Sequence, residues 1–443
     1  MVAEHDKSPK PQSPNDKASP TKSAASKKSL SSSSGSFPLG STLVALIAVA
    51  VAAFAVLQPT EFQTAVDATK TRVLLALDQY RGTESSIQTA SQTIDCTEAH
   101  QYLTELNPVK GFHVLCIKKT PQETLLVTAF KDGNWANRTG ETSTDFTSLK
   151  LNLEELLEIP PPKDALTQKY KQPYAFFTPD GKRLEALSEM VNSIVYLFEG
   201  GQFIWPGVKI GHKTIVKDVY GKGDMVMETL NMIPLVFGVD EFLKDEEIDV
   251  IMDLSVEHLA PSGVTLIDGH ENRPATDWRT STTYWLSSSK HQLVRDIDRR
   301  TADITKVPIS HQEDVQVLRY EKTQKYDHHM DYFGVDQYQN SPDILEMINH
   351  GYKNRMITVF WYMSDVAKGG HTIFPRAGGA PQPTVMNDCS KGLKVPPRKR
   401  KVVIFYSMLP SGESDPMSLH GGCPVEEGTK YSGNKWVWNK QFK

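Results

Sequence analysis

A short polar pattern in the C-terminal third of the chain constrains its fold more than any other feature. His329 and Asp331 are separated by one residue, and a second histidine, His420, follows much later in the sequence. Successive side chains of a β-strand point to opposite faces, so His329 and Asp331 share a face while His328 points away. The preceding segment 315–320 is rich in strand-forming residues. The pattern therefore predicts a β-structure in which two imidazoles and one carboxylate occupy one face of a metal ion.

This residue set indicates a metal site with oxidising chemistry. Two histidines and one carboxylate leave the other face of the metal open for a co-substrate and oxygen, as in non-haem Fe(II) oxygenases. Lys430, shortly after His420, is a cation that can pair with a carboxylate bound at the open face. The His-x-Asp tripeptide alone has another interpretation, a surface histidine beside an acid, because the chain contains 13 histidines. The surrounding sequence decides between the two.

That surrounding sequence resembles the prolyl 4-hydroxylase branch of the 2-oxoglutarate/Fe(II) dioxygenases. The resemblance covers roughly residues 230–443, and its motifs stand in the order that the family has. The matching segments are 242–247, 278–281, 313–320, 326–333, 355–366, 369–375, 415–425 and 435–436.

The resemblance implies a role for each residue of the site. His329, Asp331 and His420 are the implied iron ligands, and Lys430 is the implied partner of the distal carboxylate of 2-oxoglutarate. The residues implied to line the co-substrate pocket are Tyr320, Thr358 and Tyr362, and those implied to face a peptide substrate are Arg355 and Trp436. His371 stands where the family more often has a carboxylate or a small residue. We expect His371 to be solvated or to lie behind the ligands rather than to bind the metal.

The same resemblance implies a fold and a reaction. We expect an α+β, mainly β catalytic domain, a double-stranded β-helix (jelly roll) with flanking helices at 242–259 and 289–305. The implied cofactors are Fe(II), 2-oxoglutarate as co-substrate, O2 and ascorbate. The implied reaction couples decarboxylation of 2-oxoglutarate to insertion of one oxygen atom into a C–H bond, here the 4-hydroxylation of peptidyl proline.

An apolar run near the N-terminus predicts a membrane anchor. Residues 1–36 are dominated by Ser, Lys, Pro and Ala and are predicted to be a disordered tail. The charge-free segment that follows is long enough to cross a bilayer, so 37–58 is predicted to be a signal anchor. A buried core helix and a cleaved signal peptide are the alternatives. Lysines cluster before the run, which predicts a cytosolic N-terminus and a luminal remainder in the endoplasmic reticulum or Golgi membrane.

Between the anchor and the catalytic domain the sequence indicates two further regions. Residues 59–93 carry a helical pattern and are predicted to form a stem, either a homodimer contact or a simple spacer. Residues 94–225 are predicted to be a smaller mixed α/β domain of unknown role, and 230–443 the catalytic domain. Within the smaller domain we expect strands at 112–117, 125–130 and 203–205, and a helix around 184–198.

Two features agree with a luminal location. Asn137-Arg138-Thr139 is an N-glycosylation sequon, so Asn137 is a candidate glycosylation site. The chain has four cysteines, and an even count in an oxidising compartment favours two disulfides over four free thiols. Cys389 and Cys423 match a pair in luminal relatives, and Cys96 and Cys116 are a possible pair by proximity.

The predicted function is a membrane-anchored luminal prolyl 4-hydroxylase that acts on proline in secretory polypeptides. Two other functions stay open. One is a 2-oxoglutarate dioxygenase with a non-proline substrate, and the other is a catalytically inactive luminal binding protein that keeps the fold. The net charge of −4, with nearly balanced signs, gives no indication of a nucleic-acid partner.

Overall fold

The computed structural model describes residues 109–159, 173–270 and 272–442. The predicted tail (1–36), membrane span (37–58) and stem (59–93) lie outside the described residues, and so does Cys96. Within the described ranges, no helix has the length and apolar character needed to cross a membrane.

The first part of the described chain forms a six-stranded antiparallel sheet in the order β3-β2-β1-β6-β4-β5. Its strands are β1 (Phe112–Lys119), β2 (Leu125–Phe130), β3 (Asn137–Thr142), β4 (Ala175–Phe177), β5 (Arg183–Leu184) and β6 (Ser193–Phe198). Helix α1 (Phe146–Leu157) is capped by Asp145, whose side chain accepts a hydrogen bond from the Ser148 amide. Leu149, Leu153 and Leu157 recur at helical spacing, and their side chains pack with the buried residues of β1 and β2. We call this unit the small sheet.

Two expectations for this region are wrong. The predicted helix over 184–198 is only one turn, α2 (Leu187–Met190), and strand β6 occupies 193–198. Strand β6 lies between β1 and β4 and is buried on both faces, so its apolar run lacks the alternation that marks a half-exposed strand. Residues 203–205 form no strand, because the Trp205 amide donates to the Tyr406 hydroxyl rather than to a neighbouring strand.

The C-terminal part is built mainly from two further antiparallel sheets, one of nine strands and one of four. A nine-stranded sheet has the order β10-β11-β12-β21-β14-β18-β9-β8-β7, and a four-stranded sheet has the order β13-β19-β16-β17. The first contains β7 (Lys213–Val219), β8 (Gly223–Met232), β9 (Leu235–Val239), β10 (Ala260–Pro261), β11 (Thr282–Leu286), β12 (Val315–Tyr320), β14 (Arg355–Tyr362), β18 (Val402–Tyr406) and β21 (Lys430–Trp438). The second contains β13 (Tyr326–His329), β16 (Thr372–Phe374), β17 (Leu393–Val395) and β19 (His420–Gly422). Two short strands, β15 (Lys368–Gly369) and β20 (Val425–Glu427), pair with each other.

The strands of the nine-stranded sheet divide their side chains between two cores. Leu318 and Phe360 belong to the core that also contains Phe374 of the four-stranded sheet. Their neighbours Val317 and Val359 point to the opposite side and join the core under the helices. Both faces of β12 and β14 are therefore covered, which explains why β14 carries large apolar side chains on both faces. The expected double-stranded β-helix with flanking helices is confirmed.

Two helices cover the outer face of the nine-stranded sheet. They are α3 (Asp245–Ser255) and α4 (Gln292–Thr305), so the helices expected at 242–259 and 289–305 are confirmed with shorter bounds. A short helix, α5 (Pro342–Met347), lies farther along the chain. Glu247 of α3 and Arg300 of α4 form a buried pair with N···O distances of 2.7 and 2.8 Å, which joins the two helices.

The small sheet ends at β6. Strand β7 comes from the region predicted to be a separate domain at 94–225, yet it pairs with β8 at the edge of the nine-stranded sheet. Phe112 and Phe198 of the small sheet also belong to the same core cluster as Tyr406 of the large sheet. The predicted domain limits themselves stay a prediction.

Candidate active site

The two histidines of the sequence pattern lie opposite each other on neighbouring strands. Strand β13 ends at His329, strand β19 begins at His420, and these two residues are register partners in the antiparallel pair. Asp331 lies two residues beyond the end of β13. The exposed fractions of His329, Asp331 and His420 are 6%, 1% and 7%. The fold thus brings the three residues together in a buried position.

The distances within this cluster suit a shared ion. His420 Nε2 lies 3.5 Å from Asp331 Oδ2, and His329 Nε2 lies 3.9 Å from Asp331 Oδ1. The ring centroids of the two histidines are 4.4 Å apart. Each residue offers one ligand atom, and these atoms all lie within 4.8 Å of one another. His328 and His371 do not belong to the cluster.

Backbone carbonyls orient both imidazoles. His329 Nδ1 lies 2.8 Å from the carbonyl oxygen of Asp327, and His420 Nδ1 lies 2.9 Å from that of Ser418. A carbonyl oxygen only accepts hydrogen bonds, so each Nδ1 carries the proton and donates it. Burial, followed by the charge of His420, holds the pKa of His329 well below its usual value. Each ring therefore turns its Nε2 atom towards the cluster, as a metal ligand requires.

The carboxylate of Asp331 is satisfied on one side only. Thr358 Oγ1 on β14 donates a 2.6 Å hydrogen bond to Asp331 Oδ2. Asp331 Oδ1 is buried and has no hydrogen-bond partner among the described residues. A buried carboxylate oxygen without a donor is costly, and a cation would satisfy it. Two imidazole nitrogens and this carboxylate are a donor set that fits Fe(II).

Lys430 is a buried cation in an aromatic pocket. It begins strand β21, is the register partner of Tyr320, and is 2% exposed. Its Nζ lies 5.1 Å from the ring centroid of Phe360, 5.4 Å from that of Tyr320 and 5.6 Å from that of Tyr362. The Lys430 ammonium makes no ion pair or hydrogen bond within the described parts of the chain, and burial lowers its pKa to about 7. The pocket is therefore prepared for an anion that supplies the missing negative charge.

Tyr362 closes one side of this pocket. Its hydroxyl donates to Thr372 Oγ1 at 2.7 Å and also lies 3.2 Å from the carbonyl oxygen of Val395. Burial raises the pKa of Tyr362, so the phenol stays neutral and keeps its proton for these contacts. Tyr320 and Tyr362 thus line the space around Lys430, whereas the Thr358 hydroxyl contacts Asp331.

Arg355 and Trp436 form a buried cluster with Glu313. Arg355 Nε and Nη2 donate to the two oxygens of Glu313 at 2.6 and 2.9 Å. The guanidinium carbon lies 3.5 Å from the ring centroid of Trp436. Trp438 Nε1 also donates to Glu313 Oε1, at 2.7 Å. The pair that the resemblance implies to face a peptide is in contact, and its role towards a substrate stays a prediction.

The structure adds residues to the site that sequence reasoning did not assign. Tyr326 stacks on His329 with ring centroids 3.7 Å apart, and the Arg279 guanidinium lies 4.5 Å from the Tyr326 ring centroid. Glu313 holds Arg355 as described above. Tyr326, Arg279 and Glu313 all lie inside the segments that resemble the family, so the resemblance could have indicated them as site residues. Their contacts, however, join residues from different strands and are visible only in the fold.

The cysteines and the sequon lie at separate places. Cys389 and Cys423 form a disulfide with a Cα–Cα distance of 6.0 Å, which ties the loop after β16 to the segment that follows His420. Cys116 is also disulfide-bonded, while its predicted partner Cys96 lies outside the described residues. Asn137 is exposed at the start of β3, the edge strand of the small sheet.

Known proteins resemble this chain in the catalytic part. A model of the 2OG-Fe(II) oxygenase superfamily matches residues 315–438. A protein of Arabidopsis thaliana described as probable prolyl 4-hydroxylase 3 is 37% identical over 228 residues, which cover 50% of this chain and 75% of that protein. Prolyl 4-hydroxylase 2 of the same plant is 37% identical over 216 residues, covering 47% of this chain and 69% of the relative. A solved structure of the viral collagen prolyl hydroxylase of Paramecium bursaria Chlorella virus-1 is 24% identical, covers 46% of this chain and 95% of that chain, and has a TM-score of 0.33.

The fold and the ligand cluster define a 2-oxoglutarate- and Fe(II)-dependent oxygenase. The sequence identity of 37% to the two plant prolyl 4-hydroxylases shows which family within this class the chain belongs to. The chain belongs to the prolyl 4-hydroxylase family.

Proposed function

We propose that this protein hydroxylates peptidyl proline at the 4 position in polypeptides of the secretory pathway. The reaction consumes 2-oxoglutarate and O2 and releases succinate and CO2, so that one oxygen atom enters the proline C–H bond and the other enters succinate. The observation that carries the proposal is the buried cluster of His329, Asp331 and His420 in a prolyl 4-hydroxylase fold.

The residues of the chain have distinct tasks in this reaction. His329 Nε2, His420 Nε2 and Asp331 hold the iron, which supplies the activation of O2 when it is bound. Lys430 neutralises the distal carboxylate of 2-oxoglutarate inside an aromatic pocket, where the ion pair is protected from water. Tyr320 and Tyr362 shape that pocket. The proposed cofactors are Fe(II) and ascorbate, with 2-oxoglutarate and O2 as co-substrates.

Arg355 and Trp436 are the proposed contacts to the peptide. The guanidinium and the buried indole stack at 3.5 Å, and Arg355 Nη1 has no hydrogen-bond partner among the described residues, so it is the donor left for a peptide. Glu313 fixes the guanidinium through two hydrogen bonds, so the stacked pair is rigid before the substrate arrives.

An assay of the full-length protein tests the proposal. The enzyme is incubated with Fe(II), 2-oxoglutarate, ascorbate and proline-rich peptides, and both succinate and the peptide mass are measured. Succinate formed together with a peptide heavier by one oxygen atom, located on proline, is the expected result. The matched control is His420→Ala, which should form neither product. Succinate without hydroxylated proline in any peptide would favour a non-proline substrate, and no succinate at all would favour a binding protein.

We further propose that the catalytic domain lies in the lumen of the endoplasmic reticulum or Golgi, on a type II anchor at residues 37–58. The charge-free run and the lysines before it support the anchor, and the Cys389–Cys423 disulfide and the exposed Asn137 sequon support the lumen. The stem at 59–93 is a proposed homodimer contact. Protease protection in microsomes, with Asn137→Gln as the glycan control, tests the orientation. Digestion of the C-terminal part without detergent would contradict it.

A further inference from the structure

A cavity of about 390 Å³ lies between the small sheet and the nine-stranded sheet. Phe112 and Phe198 form the wall on the side of the small sheet, and Tyr406 and Met408 form the wall on the side of β18. Trp205 and Met232 also line it. Phe112, Phe198 and Trp205 lie outside the segment 315–438 that matches the oxygenase superfamily. The cavity therefore depends on the part of this chain that precedes the oxygenase domain.

The size and composition of this cavity are those of a ligand site. Pockets that bind small molecules have volumes of roughly 300–1,000 Å³ and are lined mainly by apolar and aromatic side chains. Protein interiors otherwise leave few voids larger than a water molecule. The surrounding wall is tightly packed, since a Cβ added to Gly207 would lie 2.7 Å from Leu235 Cδ1 and 2.9 Å from Met232 Sδ. The cavity is thus a defined opening in a dense region rather than loose packing.

One buried carboxylate gives the cavity a polar side. Asp415 lines the cavity and is 8% exposed. Its Oδ1 accepts a 2.9 Å hydrogen bond from the Met417 amide, and its second oxygen has no hydrogen-bond partner among the described residues. The charged Lys110 also lines the cavity, but its Nζ lies 2.8 Å from Glu413 Oε1, and its side chain is largely exposed. Asp415 is therefore the group that selects the polar end of an occupant.

We propose that this cavity binds a small apolar molecule that carries a protonated amine or another hydrogen-bond donor facing Asp415. The apolar body fills the space between Phe112, Trp205 and Tyr406, and the donor reaches the second oxygen of Asp415. A buried carboxylate gains more from a charged donor than from a neutral one, because charge-assisted hydrogen bonds are about twice as strong. An anionic molecule of the same shape binds more weakly, because of repulsion by Asp415 and the cost of burying its charge.

Isothermal titration of the full-length protein with 4-phenylbutylamine tests this proposal. The matched comparator is 4-phenylbutyrate, which has a similar apolar body and the opposite charge. For a ligand of this size we expect a Kd on the order of 0.1 mM for the amine. We expect binding of the carboxylate to be at least about tenfold weaker. Equal affinity for the two, or no binding of the amine, overturns the proposal. Absence of binding is the outcome expected if another part of the chain or a protein partner fills the cavity.

Two variants test whether the amine binds in this cavity. Asp415→Asn keeps an oxygen for the Met417 amide but removes the charge, so affinity for the amine should fall about tenfold and its advantage over the carboxylate should disappear. Met232→Trp fills the cavity from the β8–β9 turn and should abolish binding of both probes. Neither residue belongs to the ligand cluster or the Lys430 pocket, so 2-oxoglutarate turnover reports that the variants are folded. Unchanged amine binding in both variants would show that the probe binds elsewhere.

Discussion

His329 and His420 are register partners across the β13–β19 pair, and their ring centroids lie 4.4 Å apart. This single strand pairing joins two segments that are far apart in sequence. It also places both Nε2 atoms beside Asp331, whose Oδ1 is buried without a donor among the described residues. The site is therefore preorganised by the sheet, and a metal ion would complete it without a large rearrangement.

Removal of one histidine should abolish iron binding. His420→Ala deletes one of three proposed ligands, so the affinity for Fe(II) should fall by more than the roughly 10–100-fold that is typical for loss of an outer-shell partner. Anaerobic Fe(II) titration measures this. His371→Ala is the matched control, because His371 is only partly buried and lies outside the cluster. Equal iron affinity in His420→Ala and the wild type would remove the proposed ligand set.

Thr358→Val should weaken iron binding while leaving the fold intact. The change keeps the shape of the side chain but removes the hydroxyl that donates a 2.6 Å hydrogen bond to Asp331 Oδ2. When a ligating carboxylate loses such a hydrogen-bond partner, the metal affinity typically falls by about 10–100-fold. Thr358→Ser retains the hydroxyl and should restore most of the affinity. If both variants bind Fe(II) equally well, the hydrogen bond does not orient Asp331.

Lys430 should make 2-oxoglutarate binding depend on pH. Burial lowers the pKa of Lys430 to about 7, so the free enzyme loses the ammonium as pH rises above that value. The KM for 2-oxoglutarate should therefore rise between pH 7 and 9, by up to about tenfold per pH unit. Lys430→Arg keeps its charge over this range and should flatten the profile. A wild-type KM that is constant from pH 7 to 9 would contradict the assignment of Lys430.

Lys430→Met should stabilise the protein and abolish its use of 2-oxoglutarate. The folded-state pKa lies below the ordinary value of 10.5, so the unfolded chain binds more protons between pH 7 and 10. Stability of the wild type should therefore rise with pH in this window, and the advantage of the Met variant should shrink. Thermal unfolding of the two proteins at pH 7 and pH 9 measures this. A variant less stable than the wild type at pH 7 would show that Lys430 contributes favourably to folding.

Removal of one partner of the Arg355–Glu313 pair should strongly destabilise the fold. Both side chains are buried, and removal of either leaves an uncompensated charge, at a cost of about 3–5 kcal/mol. Denaturant unfolding of Arg355→Met, of Glu313→Leu and of the double variant forms a thermodynamic cycle. The double variant should be more stable than the sum of the single losses predicts. Strict additivity would mean that the two charges do not interact.

The proposed substrate role of Arg355 needs a milder change. Arg355→Lys keeps the charge but loses the bidentate hydrogen bond to Glu313 and the stacking of the guanidinium on Trp436. We expect a higher KM for the peptide with little change in the KM for 2-oxoglutarate. Parallel increases in both constants would indicate a general structural defect rather than a lost peptide contact.

The sequence by itself determined the local parts of this protein. Strand alternation predicted that His328 points away from His329, and the structure keeps His328 out of the cluster, whereas Asp331 joins the cluster from beyond the end of β13. The helices expected with the catalytic fold at 242–259 and 289–305 are α3 and α4, and their buried apolar residues join the core beside the nine-stranded sheet. The helix expected around 184–198 is wrong, since β6 is covered on both faces and its apolar run shows no alternation.

Only the tertiary structure decided which residues meet across strands. Three contacts join segments that share no local sequence pattern. They are the pairing of β13 with β19, the hydrogen bond from Thr358 to Asp331 and the hydrogen bond from Arg355 to Glu313. The sequence marked Lys430 as a contact to the co-substrate, but its pKa of about 7 arises from its burial among aromatic rings, which only the fold creates. Periodicity encodes the face on which a side chain lies, whereas sheet order and burial fix its partner and its charge.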